Sequence, residues 1–197
     1  AWRALSRIQS RRDPPKHEDA IRAAEMAMRL ADRMHDDEAV VSCSIMVASC
    51  CTSYARLIES PARRVRAQGL RRKALGQSKS ALNGAKMLGS KRLVGKSLLT
   101  LGRVLLALAS AEDGPHNLDK ARKCFTDAIG NFQKEPGSID QEALATASVA
   151  QVLEQLGFFD QALDAAETAV QLGQQSADVA AHHALDEAWV RVQSACH

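Results

Sequence analysis

Aromatic residues are scarce: two Trp, one Tyr and four Phe among 197 residues, or 4% of the chain. Sheet cores lean on rings and β-branched residues, so this shortage argues against an all-β domain. No run alternates Val, Ile, Thr and Tyr with polar residues, and the one Asp-Gly pair, Asp113-Gly114, falls between helical patterns. No apolar run approaches the length expected of a membrane span. The N-terminal stretch AWRALSRIQSRRDPP lacks the apolar centre of a secretory signal. It opens on Ala1 rather than Met, as a piece of a longer chain would. Acids are missing over a long interval, with no Asp or Glu from Ser60 to Ala111.

The motifs of chemistry are missing too. There is no GxSxG, HExxH or CxxC. Gly95-Lys96-Ser97 looks like the end of a phosphate-binding loop. However, Ser90 stands where the first glycine of such a loop belongs, and the run before it is helical rather than a strand. His182-His183 and Cys50-Cys51 are adjacent pairs. On a helix, neighbours point roughly 100° apart and do not converge on one ion. No enzymatic activity, no metal site and no cofactor is expected. The five cysteines, Cys43, Cys50, Cys51, Cys124 and Cys196, are odd in number and mostly sit inside apolar helical patterns. They read as reduced core thiols of an intracellular, cytoplasmic protein, with the nucleus left open.

What the chain has is helical period. Over Glu142–Leu172, Leu144, Val149, Val152, Leu153 and Leu156 form one apolar stripe, and Ala162, Ala166 and Ala169 form a small-residue stripe after a joint at Gly157. Glycine most easily takes the positive φ that ends a helix, so this is an antiparallel helix hairpin. Earlier helices are expected at about 1–9 (Trp2, Leu5, Ile8 on one face), 17–34, 36–58, 62–88, 93–111 and 117–132, with a last one at about 177–195 (Leu185, Ala188, Trp189, Val192). All five prolines fall between these segments. The 62–88 segment is expected to form one long helix, in which Gly69, Gly76 and Gly84 lower the propensity and leave room for a kink or break. The 36–58 segment is apolar on several sides and should be buried.

The 4-then-3 spacing of small residues recurs at Ala20/Ala24/Ala27, Ala74/Ser78/Ala81, Ala121/Phe125/Ala128 and Ala162/Ala166/Ala169. With Gly157, Phe159 and Leu101-Gly102 at the matching places, the pattern resembles the tetratricopeptide repeat (TPR). Thr146 and Val149-Ala150 depart from that family's usual tryptophan and leucine-glycine. The intervals between anchors, 54, 47 and 41 residues, exceed the family's length of about 34. The resemblance implies an all-α fold over residues 1–197: a right-handed superhelical solenoid of antiparallel helix hairpins, about four repeats plus a C-terminal capping helix. It also implies a protein-interaction scaffold whose first helices line a concave groove for a partner peptide or helix. By that resemblance Lys96, Leu99, Arg103 and Leu106, then Ala147, Gln151, Glu154 and Gln155, face the groove. A clamp for a terminal carboxylate is incomplete, because Ala147 and Gln151 follow where cations or Asn are needed.

Charge supplies the other candidate. Twelve Lys or Arg stand between Arg63 and Arg103 without an acid, whereas the chain from Lys134 onward has ten acids against two bases, a net of −8. Arg63, Arg64, Arg66, Arg71, Arg72 and Lys73 are expected to form a basic surface for an acidic partner segment. Two other uses of the stretch are a phosphate-binding surface for nucleic acid and self-association of the basic middle with the acidic end. Base-stacking aromatics are absent from the basic stretch, which disfavours single-strand recognition. No membrane partner is expected.

Overall fold

The computed structural model describes residues 17–110 and 114–175. The helices expected at 1–9 and 177–195, with His182-His183 and Cys196, lie outside the described residues. Every regular element described is helical: α1 (His17–Arg33), α2 (Asp37–Leu57), a 3-10 turn (Pro61–Arg63), α3 (Arg64–Met87), α4 (Lys91–Ala109), α5 (Gly114–Phe132), α6 (Ile139–Gln155) and α7 (Phe159–Gln174). The chain divides into two units, Ala1–Leu93 and Val94–His197.

In the first unit α1, α2 and α3 pack in sequence order. Ser44 on α2 donates to Met28 Sδ on α1 at 3.3 Å, and Tyr54 donates to Glu18 at 2.6 Å. Residue numbers rise on one helix as they fall on the other, so the pair is antiparallel. The link between them is tight. Asp36 N–H donates to Ala31 C=O at 3.0 Å and His35 N–H to Asp32 C=O at 3.0 Å, the paired bonds that close a helix end. Asp36 then caps α2, its Oδ1 accepting from Ala39 N–H at 2.9 Å. His35 sits at φ 54°, the left-handed region that disfavours a side chain. His35→Gly should therefore raise unfolding stability by about 1 kcal/mol, read from the urea midpoint. A lowered midpoint would contradict this account of the link.

Helix α2 buries Val41, Cys43, Val47, Ala48, Cys51 and Ala55, as its all-round apolar pattern predicts. The expectation that no stretch reaches membrane-span length needs correcting, because α2 does so by length and composition. Half of that stretch is buried inside the protein, where α1 and α3 pack against it. The long helix expected at 62–88 is α3, which runs unbroken for 24 residues despite its glycines. Its buried face (Ala67, Arg71, Ala74, Ser78, Ala81, Ala85) packs on α2, and tertiary packing overrides weak propensity. Gly84 serves this packing, because a Cβ there would lie 2.7 Å from Val41 Cγ2.

In the second unit glycine again sets the approach of two helices. A Cβ on Gly95 would lie 2.6 Å from the Phe132 ring, and one on Gly102 would lie 2.4 Å from the Phe125 ring. Two rings of α5 thus rest on the bare backbone of α4. Gly95-Lys96-Ser97 lies inside this helix rather than in a phosphate loop. Helix α5 starts three residues earlier than expected, because Pro115 fits the first turn of a helix, where its missing N–H is no loss. Helices α6 and α7 form the expected hairpin. Gly157 takes φ +81°, and Phe158 N–H donates to Leu153 C=O at 2.9 Å to close α6. Ala150 and Leu153 pack with Ala162 and Ala166, and Ala143 and Ala147 with Ala169.

The small-residue motif is buried in all four places, and it continues one step further. Ala31, Ala85, Phe132 and Gly173, each eleven residues after the first motif residue, are buried as well. The four helices therefore bury the same side at offsets 0, 4, 7 and 11, which is three turns of one face.

Candidate partner-docking surfaces

The basic stretch does not form one uniform surface. Three of its six named cations are engaged by acids of the same unit. Arg66 pairs with Glu18, Arg71 with Glu59 and Lys73 with Glu25. Arg71 is a correction to the expected basic surface, since its side chain is only 4% exposed. It lies three residues before Ala74, on the side of α3 that faces α2, and this phase buries it. Arg63, Arg64 and Arg72 remain exposed.

Glu18 is the hub of a small cluster joining three helices. It accepts from Tyr54 of α2 and from Arg66 of α3, and Arg22 of its own helix stands 3.6 Å away. Arg66 also lies over the Tyr54 ring, 5.5 Å from its centroid, while His17 meets that ring edge-on at 5.7 Å. The Tyr54 hydrogen bond and then the Arg66 charge hold the Glu18 carboxyl below its ordinary 4.5. Burial lowers the His17 imidazole below its ordinary 6.5. Both groups therefore bind protons more weakly in the folded chain than in the unfolded one. Their contribution is complete above 6.5 and declines as pH falls, first through the folded value of His17 and then through that of Glu18. Urea midpoints should fall from pH 7 towards pH 4, and His17→Gln should remove the upper part of the decline. A midpoint that rises on acidification would refute this assignment.

The described cysteines are reduced. Cys43, Cys50 and Cys51 are buried, and burial, more than any neighbouring charge, pushes the Cys51 thiol up to about 12. Such a thiol is inert as a nucleophile. Among the described residues no group of three His, Cys, Asp or Glu is placed to hold a metal ion.

The second unit holds the eight residues assigned to a groove. On α4, Leu99 and Leu106 are buried, Lys96 is half-buried and Arg103 is exposed. Protein nonetheless crowds Arg103, and desolvation draws its guanidinium below the ordinary 12.5. It stays cationic at neutral pH. On α6, Ala147 is buried, Gln151 and Glu154 are half-buried and Gln155 is exposed.

An open cavity of about 670 Å³ lies elsewhere in this unit. Val149 and Leu153 of α6 supply its apolar wall, Asp119, Arg122, Lys123 and Asp127 of α5 its charged rim, and Gln161 of α7 one end. Val149 and Leu153 are one turn apart on one side of α6. Gln151 stands roughly 200° round the helix from Val149, so the cavity opens away from the face the resemblance assigned. None of the eight expected residues lines it. Val149 and Leu153 were visible in the sequence as an apolar stripe, but nothing in the sequence showed that α5 leaves Val149 partly uncovered.

No family model matches the chain, and no curated protein matches it in sequence. Among solved structures, the crystal structure of BtubC (BKLC) from P. vanneervenii is similar, with TM-score 0.54 at 15% identity, over 98% of this chain and 79% of that one. At that identity the likeness concerns the fold alone.

Proposed function

We propose that the chain is a TPR-like helical-repeat module that docks a segment of a partner protein, with the α5–α7 cavity of the second unit as its docking site. The carrying observation is the composition of that cavity, in which apolar Val149 and Leu153 are edged by two acids and two bases. Peptide grooves combine an apolar floor for an anchor side chain with rim charges that fix its direction. The fitting segment carries one aliphatic or aromatic anchor with charged neighbours of both signs. The fourfold phase of buried residues at offsets 0, 4, 7 and 11 supports a repeat architecture, and stacked hairpins of this kind make a right-handed solenoid.

A phage-displayed peptide selection against the purified chain tests the proposal. Enriched peptides should share an apolar anchor, and Val149→Arg and Arg122→Glu/Lys123→Glu should each weaken them by about tenfold or more. Selection that enriches no peptide, or peptides that bind Val149→Arg as tightly as wild type, would overturn it.

A further inference from the structure

The solvent side of α3 carries cations that no acid among the described residues neutralises. Gly69, Arg72, Gly76, Lys79, Asn83 and Lys86 recur at alternating steps of three and four, so they lie on one ridge, and all six are exposed. Those three cations are seven residues apart, about 10.5 Å along the axis between one and the next. Acids of α1 and the α2–α3 link go to Arg66, Arg71 and Lys73, and among the described residues no ion pair reaches Arg72, Lys79 or Lys86. Between the cations, a Cβ built on Gly69 or Gly76 meets nothing within 4 Å. The unit's own packing does not require glycine at either place. A helix laid across this ridge could bring its backbone closer than side chains normally allow.

Helix α7 has the complementary face. Asp160, Asp164 and Glu167 are exposed at steps of four and three, and α7 has no Lys or Arg. No ion pair among the described residues reaches these acids either. Asp160 and Glu167 are seven residues apart, the same rise that separates successive cations on α3. Among the described residues neither face has an ion-pair partner, and each carries the charge the other lacks, so a second copy of the chain supplies a complement to both. We infer that copies of this chain associate head to tail, the α3 ridge of one copy lying against the acidic face of α7 of the next. The contact joins two different patches, so it builds a ring or a filament rather than a closed twofold dimer.

Sedimentation velocity on the full chain tests this at low and high salt, about 50 and 500 mM, where screening differs several-fold. Wild type should assemble with rising concentration at low salt and fall to monomer at high salt. Arg72→Glu/Lys79→Glu/Lys86→Glu and Asp160→Lys/Asp164→Lys/Glu167→Lys should each be monomeric alone. An equimolar mixture of the two should assemble again, because each inverted face then meets an opposite one. Gly69→Leu/Gly76→Leu keeps every charge but fills the ridge, and it should lose assembly while keeping its helical circular dichroism. The inference is overturned by wild type that stays monomeric at low salt up to about 100 µM, a loading at which weak self-association shows. It is equally overturned by charge-inverted variants that assemble like wild type. Monomeric wild type whose α3 ridge retains duplex DNA or an acidic peptide would assign the ridge to that occupant instead.

Discussion

Gly102→Ala is expected to destabilise the chain by about 1–3 kcal/mol, the usual range for an overpacked core. On helix propensity alone the same change would stabilise by about 1 kcal/mol. The sign is set by Phe125, whose ring is fully buried and would lie 2.4 Å from the new Cβ. Phe125→Ala should itself cost about 3–5 kcal/mol, the range for truncating a buried ring. With the ring gone the clash is gone, so Gly102→Ala on the Phe125→Ala background should become neutral or favourable. That change of sign in a double-mutant cycle, measured by urea denaturation, is the decisive readout. A Gly102→Ala effect that is the same on both backgrounds would show that ring and glycine do not meet. Gly76→Ala is the internal control. Its Cβ meets nothing within 4 Å, so it should stabilise by up to about 1 kcal/mol.

The second large effect lies at Glu59 and Arg71. Glu59→Gln is expected to cost about 2 kcal/mol, because a charged partner is worth more than a neutral one and Arg71 is nearly sealed from water. The figure stays below that of a fully buried pair because the Glu59 side chain is 51% exposed. Arg71 Nε already has no hydrogen-bond partner among the described residues. Arg71→Met, which removes the buried charge and keeps an apolar stem, should cost less than Glu59→Gln. The double variant should be no worse than Arg71→Met alone. Thermal or urea unfolding that ranks Arg71→Met as the more damaging change would refute this order. The result also bears on charge-reversal experiments. Inverting Arg71 or Lys73 perturbs an internal ion pair along with any surface, whereas inverting Arg63, Arg64 or Arg72 breaks no ion pair among the described residues.

Most of the helical layout was legible because it depends on local rules. Prolines, the Gly157 joint and the spacing of small residues each act within a few residues, and the described helices start and stop within about three residues of the expected places. The long helix α3 was expected, but what keeps it continuous through its glycines was not legible, because propensity is a local quantity and the burial of Ala67 through Ala85 against α2 is not. The basic stretch was read along the chain, where Arg71 and Arg72 look alike. Read around the helix, Arg71 shares the phase of Ala74, Ser78 and Ala81, and its burial follows. The acids that pair with Arg66 and Lys73 come from α1, 48 residues before each. No spacing rule reaches that far. The cavity beside Val149 was illegible for a related reason, since its shape depends on how much of α6 is left open by side chains of α5.

The repeated seam of alanines has a mechanical corollary. Alanine has no side-chain torsion, so joining helices through Ala143, Ala150, Ala162 and Ala169 freezes no rotamers. By the same token the alanines have no rotamers with which to absorb a load, which leaves that to Leu153 and the flanking Val149, Leu163 and Leu172. A leucine-filled interface can creep by exchanging side-chain conformers. An interface built mostly of alanine methyl groups favours two responses, to stay in register or to part along its length.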